Sequence, residues 1–239
     1  MHTKKIIILL PALNEEKNIS DVLKGIPVAE IENRGYKPQI VVVDGHSEDQ
    51  TVAVAKQNGA ICLKQPGKGK GDAVKYALRQ VRGEFLFMLD ADNTYPPDYI
   101  IPMLDILEKK EADVVMGSRL SGKIENGAMT RMNYIGNRIL TATANFFFSN
   151  GYKITDLCTG MWGFNRKAQE TLAPLLTANG FDIEAELFAK AMKNGLKVRE
   201  IPIHYGRREG PSKLGSLRDG AKIMGRLVKE SFIRQSSVR

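Results

Sequence analysis

Short apolar runs alternate with polar segments along the first half of the chain. Residues 4–10 (KKIIILL), 39–43 (QIVVV) and 84–89 (EFLFML) are short and continuously apolar, which is typical of strands buried on both faces of a sheet. Between them, apolar residues recur at helical spacing, as over residues 19–23. This alternation predicts an α/β fold with a mostly parallel central sheet and helices on both faces.

Capping residues predict where two of the helices begin. Asn14 follows the first strand and is a predicted N-cap, and residues 47–50 (SEDQ) match a capping box after the second strand. Further short strands are expected at residues 60–63 and 113–116, with a helix over residues 73–81 between them.

The second half of the chain has a less regular pattern. Residues 131–149 have helical spacing and end in three phenylalanines, and strands are expected at 161–164 and 196–204. No repeat or low-complexity linker interrupts the chain. We therefore predict one domain over residues 1–220, followed by a basic amphipathic C-terminal helix over 221–239 and no transmembrane segment.

Composition and charge narrow the range of partners. The 239 residues are 43% hydrophobic and carry a formal net charge of +8, which favours an anionic partner such as nucleic acid, acidic lipid headgroups or phosphorylated metabolites. Only two cysteines are present, which favours a reduced, cytoplasmic protein. No signal peptide precedes the first strand, and no apolar run approaches the roughly 18 residues of a membrane span. The sequence therefore predicts a soluble or peripheral protein.

Polar residues that can bind ligands follow four consecutive predicted strands. Ligands of an open parallel sheet bind beyond the carboxyl ends of its strands, so these residues are expected to share one site. A turn rich in Asn, Asp and Gly is ordinary at any one strand end, and only the agreement among four of them indicates a site. In strand order, the residues are Asn14 and Glu15, then Asp44, then Gly67 to Gly71, then Asp90 and Asp92.

The segment Asp90-Ala91-Asp92 is the core of the predicted site. Alternate residues of an extended segment point the same way, so both carboxylates can bind one hard cation, Mg²⁺ or Mn²⁺, with water or a diphosphate as further ligands. The loop 67–71 (GKGKG) combines backbone freedom with two cations, which suits a diphosphate. The loop lacks Walker spacing, and no G-x-G-x-x-G follows the first strand, so a dinucleotide dehydrogenase is not expected.

Five short segments are informative together: Pro11 to Glu15 (PALNE), Val43 to Ser47 (VDGHS), Gly69 to Gly71 (GKG), Asp90 to Asp92 (DAD) and Gly117 to Arg119 (GSR). In combination they resemble the inverting glycosyltransferases of family 2, which have the GT-A fold. The second segment usually reads D-D-G-S in that family, so only one acid is matched and His46 departs from the pattern. The resemblance implies a metal on Asp90 and Asp92 and a nucleotide-sugar site that contains Pro11, Ala12, Asn14, Glu15, Asp44, Gly69, Lys70, Asp90, Ala91 and Asp92.

A narrower resemblance continues into the second half. Residues 207–214 (RREGPSKL) resemble the R-x-x-G-x-S-K-L signature of dolichyl-phosphate mannose synthases and related polyprenyl-phosphate glycosyltransferases. This resemblance, over about residues 5–220, implies transfer of a hexose from GDP-mannose or a UDP-sugar to a polyprenyl or dolichyl phosphate. It implies catalytic roles for Asp92, Arg119 and Arg207. The candidates for binding the acceptor phosphate are Arg119, Arg131, Arg138, Arg207 and Lys213.

The chemistry of a phosphate acceptor agrees with the residues of the second half. A phosphate monoester is already anionic near neutral pH and needs no general base, whereas a hydroxyl acceptor does. Arginine side chains suit phosphate oxygens, and Arg131 and Arg138 are seven apart, on one helix face. Asp156 is either the base of an enzyme with a hydroxyl acceptor or a loop acid that caps a turn or pairs with an arginine. Glu184 and Glu186 are either site acids or part of a solvated helix face.

A lipid acceptor requires contact with a membrane. From Arg207 to Arg239, nine Lys and Arg residues stand against three Asp and Glu residues, and apolar residues recur at helical spacing. The apolar face of this tail, like residues 146–148 (FFF), either lies in an anionic membrane surface or packs into the core. We expect a peripheral protein on the cytoplasmic face of the membrane, with a separate membrane protein as a further partner to test for.

Three other functions stay open on the sequence alone. A glycosyltransferase of this kind could use a hydroxyl acceptor on a glycan or small molecule, and replacement of Asp156 would separate the two. A nucleotidyltransferase also combines a parallel sheet with paired acids, but it releases pyrophosphate. A basic nucleic-acid-binding module is the least expected, since no helix-turn-helix, RNA-binding aromatic signature or zinc finger is visible.

Overall fold

A computed structural model describes residues 4–149, 151–210 and 216–233. The strands are β1 (Lys4–Ala12), β2 (Tyr36–Asp44), β3 (Ile61–Lys64), β4 (Phe85–Met88), β5 (Val114–Ile124), β6 (Trp162–Asn165) and β7 (Val198–Tyr205). The helices are α1 (Ile19–Gly25), α2 (Val28–Asn33), α3 (Thr51–Gln57), α4 (Lys70–Gln80), α5 (Ile100–Glu108), α6 (Arg131–Phe148), α7 (Arg166–Leu172), α8 (Ile183–Lys193) and α9 (Ser216–Phe232).

The strands form one sheet in the order β3-β2-β1-β4-β6-β5-β7. β1 pairs in parallel with both β2 and β4, β2 with β3, and β5 with β7. Only β6 runs against its neighbours, β4 and β5. The predicted α/β fold with a mostly parallel sheet is therefore confirmed, and the carboxyl ends of β1, β2 and β4 meet at one edge of the sheet.

The apolar character of β1 follows from its central position, with a helical layer on each face. Ile7 and Leu9 belong to the core beneath α4, α6, α7, α8 and α9. Ile6, Ile8 and Leu10 belong to the core beneath α1, α2, α3 and α5. Because successive side chains of a strand point to opposite faces, every residue from 6 to 10 needs an apolar side chain.

Both predicted helix starts are wrong. α1 begins at Ile19, five residues after Asn14, which adopts a left-handed backbone with φ of 49°. α3 begins at Thr51, and the amide of Gln50 donates to Glu16 Oε2 rather than to Ser47. The polar residues here form hydrogen bonds between the loop after β1 and the loop after β2. A sequence pattern for local helix capping cannot predict such bonds.

In the C-terminal half, the observed β5 and α9 differ from the predicted elements mainly in their bounds. β5 extends to Ile124 because its polar second half pairs with β7 after a register shift between Ser118 and Lys123. α9 begins before residue 221, and its buried Ile223 and Leu227 share one core with α6 and α8. In the described part of the chain, no helix combines the length and the apolar character that crossing a bilayer requires.

Candidate donor and acceptor site

One cavity of about 850 Å³ lies at the carboxyl ends of the strands, between the loops after β1, β4 and β7 and helices α4, α6, α8 and α9. The strand-end residues that the sequence predicts to share a site are thus largely brought together. The predicted site residues that line the cavity are Pro11, Ala12, Glu15, Gly69, Lys70, Asp90, Ala91, Asp92, Arg119 and Arg207.

Asn14 and Asp44 lie outside the cavity lining and hold the loops that form it. Asn14 Oδ1 accepts a hydrogen bond from the backbone amide of Glu48 at 2.8 Å. The backbone amide of Asn14 donates to Ser47 Oγ at 2.9 Å. Asp44 Oδ1 accepts from the amide of Ser47 at 3.0 Å. The loops after β1 and β2 are therefore tied into one unit behind the predicted nucleoside site.

Lys70 links the first acid of the Asp90-Ala91-Asp92 segment to helix α8. Its Nζ lies 2.5 Å from Asp90 Oδ1 and 2.7 Å from Glu184 Oε1. Burial alone would lower the pKa of Lys70, but the charges of Asp90 and Glu184 outweigh it and raise that pKa above its ordinary value. Burial also raises the pKa of Glu184, with Lys70 opposing that shift. Lys70 is thus a charged lysine shared by two carboxylates.

The glycines around Lys70 are required by close packing. The amide of Asp72 donates to Asn179 O at 3.2 Å, which brings the start of α4 against residues 178–180. A Cβ on Gly71 would lie 2.5 Å from Ala178 O, and one on Gly69, whose φ is 91°, would collide with Asn179 O. This contact places the N-terminus of α4 at the cavity, where the positive end of the helix dipole favours an anion such as a diphosphate.

Asp92 is held by Thr94 and by Arg208. Asp92 Oδ1 accepts from the Thr94 hydroxyl at 2.6 Å and from the Thr94 amide at 3.2 Å, and Oδ2 accepts from Arg208 Nη1 at 2.9 Å. Burial and the charge of Asp90 raise the pKa of Asp92 above its usual value. The two carboxylates are thus near enough to repel, which is the arrangement that a shared cation relieves.

The residues present fit a divalent metal ion that the donor helps to coordinate. Asp90 and Asp92 offer hard oxygen ligands, which Mg²⁺ and Mn²⁺ prefer. Among the described residues, no group of three or more His, Cys, Asp or Glu side chains could bind a metal by itself. With Asp90 and Asp92 as its protein ligands, the ion would take its remaining ligands from water and a diphosphate.

Arg119 and Asp156 form a buried ion pair at the wall of the cavity. Arg119 Nε and Nη2 donate to the two oxygens of Asp156 at 2.7 and 2.9 Å, and Nη2 also donates to Cys158 O. Burial would raise the pKa of Asp156, but the adjacent Arg119 lowers it below its ordinary value. Of the two roles open for Asp156 on the sequence, the structure shows the pairing with an arginine.

The other predicted acceptor arginines are spread over α6 and the loop after β7. Arg207 is exposed at the cavity, and its Nε donates to Asn126 O at 2.5 Å. Arg131 and Arg138 are exposed on α6 and are not part of the cavity lining, and Arg138 lies over the ring of Tyr134. Lys213 lies outside the described residues.

Tyr205 and Arg208 line the cavity, although neither is among the site residues that the sequence predicts. The Tyr205 ring lies under the Arg119 guanidinium, with 5.1 Å between Cζ and the ring centroid. In the R-x-x-G-x-S-K-L stretch the fixed arginine is Arg207, so the resemblance draws attention to Arg207 and leaves Arg208 as a variable position. Tyr205 directly follows the strand predicted over 196–204, and Arg208 lies in the loop that begins there.

Comparison with known proteins defines the class to which this site belongs. Residues 7–172 match the family model "Glycosyl transferase family 2", and the chain belongs to that family. The structure is similar to that of glucosyl-3-phosphoglycerate synthase from Mycobacterium tuberculosis, with a TM-score of 0.75 at 20% sequence identity. That crystal structure is a complex with Mn²⁺, uridine diphosphate and glucosyl-3-phosphoglycerate. It covers 98% of this chain and 82% of that one. The predicted family and fold are confirmed.

Two curated relatives from Haloferax volcanii are similar over most of this chain. The low-salt glycan biosynthesis hexosyltransferase Agl6 is 36% identical over 214 residues, which make up 89% of this chain and 50% of that protein. The dolichyl-phosphate hexose transferase is 31% identical over 224 residues, which make up 94% of this chain and 92% of that protein. The chain therefore spans half the length of the first relative and nearly all of the second.

Proposed function

We propose that this protein is an inverting, metal-dependent hexosyltransferase that moves a sugar from a nucleoside diphosphate donor to the phosphate of a polyprenyl or dolichyl lipid. The observation that carries the proposal is that the carboxylates of the cavity are paired with basic side chains. Those that line the described cavity are Glu15, Asp90, Asp92 and Glu184, and each is paired with a lysine or an arginine. A hydroxyl acceptor needs a base to take its proton, whereas a phosphate acceptor is already anionic.

The donor end of the cavity suits a nucleoside diphosphate. Lys70 and the N-terminus of α4 would bind the diphosphate oxygens, and the joined loops after β1 and β2 would hold the nucleoside. Asp90 and Asp92 would hold a divalent ion, Mg²⁺ or Mn²⁺, which neutralises charge on the departing diphosphate. A relative named dolichyl-phosphate hexose transferase and a structural neighbour solved with Mn²⁺ and uridine diphosphate support this assignment.

The acceptor end suits a phosphate that carries a hydrocarbon chain. Arg119, fixed by Asp156 and Tyr205, and Arg207 would bind and orient the acceptor phosphate for attack on the anomeric carbon. Between α6 and α9 the cavity lining becomes mostly apolar, with Met132, Ile139, Leu217 and Met224 as its larger side chains. A small hydroxyl acceptor gives no reason for such a lining.

We further propose that α6 places the protein on an anionic membrane surface at the cytoplasmic face. Met132, Ile135 and Ile139 are each more than half exposed on α6, and Phe146 near its end is 83% exposed. Arg131 and Arg138 flank these apolar side chains, and an exposed apolar face with basic neighbours is typical of interfacial helices. Contact there would bring the apolar end of the cavity to the lipid.

The proposal is tested with radiolabelled GDP-mannose, UDP-glucose and UDP-N-acetylglucosamine, each with Mn²⁺ and vesicles that contain polyprenyl phosphate. One donor should transfer label to the extracted lipid and release an equal amount of nucleoside diphosphate. Vesicles with the matching polyprenol, which has a hydroxyl in place of the phosphate, should take up no label. Labelling of the polyprenol, or release of pyrophosphate, would contradict the proposal and favour a hydroxyl acceptor or a nucleotidyltransferase, respectively.

A further inference from the structure

The side chain of Arg208 lies inside the donor site and connects its two halves. Nη1 is 2.9 Å from Asp92 Oδ2, and Nη2 is 2.5 Å from Glu15 Oε1. Glu15 follows β1 in the segment predicted to bind the nucleoside, whereas Asp92 follows β4 in the segment predicted to bind the metal. One guanidinium from the loop after β7 therefore occupies the region between the two.

The backbone around Arg208 is attached to the same two segments. The amide of Gly206 donates to Thr94 O at 2.9 Å, two residues from Asp92. The carbonyl of Glu209 accepts from Asn18 Nδ2 at 3.3 Å, and Asn18 Nδ2 also donates to Glu15 Oε2. Residues 206–210 are thus held to the donor site on both sides of the Arg208 side chain.

Both oxygens of Asp92 are occupied in this arrangement. Oδ1 accepts both the hydroxyl and the amide of Thr94, so the oxygen left for a metal ion is Oδ2, which already accepts from Arg208. The bond to Thr94 is local and compatible with a metal on the other oxygen. A guanidinium and a divalent ion that share Oδ2 repel each other, so Arg208 at this oxygen opposes metal binding.

The attachment of Arg208 is also incomplete. Its Nε is buried and has no hydrogen-bond partner among the described residues. A buried donor without a partner costs free energy, which offsets part of the gain from the two ion pairs. Arg208 is therefore held less firmly than its contacts with two carboxylates alone would suggest.

We propose that Arg208 is an internal counter-cation of the donor site, and that Asp92 exchanges it for the divalent ion when metal and nucleotide bind. The exchange would release residues 206–210, including Arg207, from the donor site toward the acceptor. This inference rests on the proposed function, because it requires a metal–nucleotide complex at Asp90 and Asp92. It assigns to Arg208 a positioning role that makes acceptor binding follow donor binding.

The test measures Mn²⁺ affinity without any sugar transfer. Free Mn²⁺ is followed by electron paramagnetic resonance as it is titrated into wild type, Arg208→Gln and the matched control Arg207→Gln, with and without uridine diphosphate. Because Arg208 competes for Asp92, its removal should raise the affinity for Mn²⁺ alone about tenfold. Arg207→Gln removes the same charge one position earlier, from a side chain that donates to Asn126 O, and should raise the Mn²⁺ affinity much less. A gain in affinity cannot result from misfolding.

Hydrogen exchange of the amides in residues 206–210 provides a second readout. In wild type, exchange should increase on addition of Mn²⁺ and uridine diphosphate, whereas in Arg208→Gln it should be high from the start. Equal Mn²⁺ affinities for Arg208→Gln and Arg207→Gln, with wild type still binding Mn²⁺ and uridine diphosphate, would overturn this inference alone. Absence of Mn²⁺ binding in all three proteins would overturn both this inference and the proposed function.

Discussion

Replacement of Asp156 by asparagine should destabilise the protein by about 3–5 kcal/mol at neutral pH, the usual cost of removing one partner of a buried ion pair. Asp156 is fully buried and accepts bonds from Arg119 Nε, Nη2 and backbone N, and from Asn137 Nδ2. Asparagine keeps the shape of the side chain but has one acceptor oxygen instead of two. It would also leave the buried Arg119 guanidinium without its countercharge.

Urea unfolding followed by tryptophan fluorescence measures this loss. Trp162 is the single tryptophan of the chain, is fully buried and stacks on Phe164, so its emission reports on the core next to the site. The control is Glu111→Gln, which breaks an ion pair with Arg199 at the surface. Both partners are more than 40% exposed, so this change should cost at most about 1 kcal/mol.

The pH dependence of the difference tests the physical cause. Although burial acts to raise the pKa of Asp156, Arg119 holds it below the ordinary value of 3.8. A group whose pKa is lower in the folded state stabilises that state above its unfolded pKa, and this contribution is lost as the pH falls through the folded pKa. The gap between wild type and Asp156→Asn should therefore be constant above about pH 5 and shrink only below about pH 4. A cost under about 1 kcal/mol at pH 7, or a gap that already narrows between pH 8 and 6, would refute the argument.

Three further predictions concern the metal site, the glycine loop and the membrane surface. Replacement of both Asp90 and Asp92 by alanine should lower release of nucleoside diphosphate by about 10²-fold or more, because both proposed ligands of the divalent ion would be lost. Retention of activity would contradict the proposed metal site. Gly71→Ala should destabilise the protein by about 1–3 kcal/mol in the same urea assay, since the added Cβ would lie 2.5 Å from Ala178 O. The control Gly225→Ala, which has open space around it in α9, should be neutral or stabilising. Phe146→Glu should weaken sedimentation with anionic vesicles about tenfold, because it replaces an exposed apolar side chain by a negative charge that the anionic lipid repels. The control Ile61→Glu, on the edge strand β3, should leave sedimentation unchanged.

The central sheet and the Asp90-Ala91-Asp92 segment are predictable because their signals are local. β1 and β4 lie between two helical layers, so nearly every residue in them must be apolar, and this appears directly in the sequence. The acids then stand out because they follow such a strand. The antiparallel β6 and the polar second half of β5 lack such a signal, since their pairing depends on which strands the fold brings together.

The pairing of charges in the site cannot be predicted from spacing. Arg208 and Glu15 are separated by 193 positions, and Arg119 and Asp156 by 37. Neither pair has a helical or strand repeat that relates its members. A surface arginine and one that enters the donor site look identical in sequence, as Arg207 and Arg208 do, and only the path of the loop after β7 separates them.

Arg119 and Arg208, two of the three described arginines that line the cavity, differ in what holds them, and this difference suits different tasks. Arg119 is 9% exposed and shares a fully buried carboxylate, so its displacement would leave a buried charge unpaired on each side. Arg208 is 22% exposed, and the carboxylates that it contacts both line the donor site, where other cations can replace it. In the proposed mechanism, Arg208 is the exchangeable countercharge of the donor-site acids before the donor binds, and Arg119 stays as a fixed positive charge for the acceptor phosphate afterwards. The depth at which each arginine is buried agrees with a binding order in which the donor precedes the acceptor.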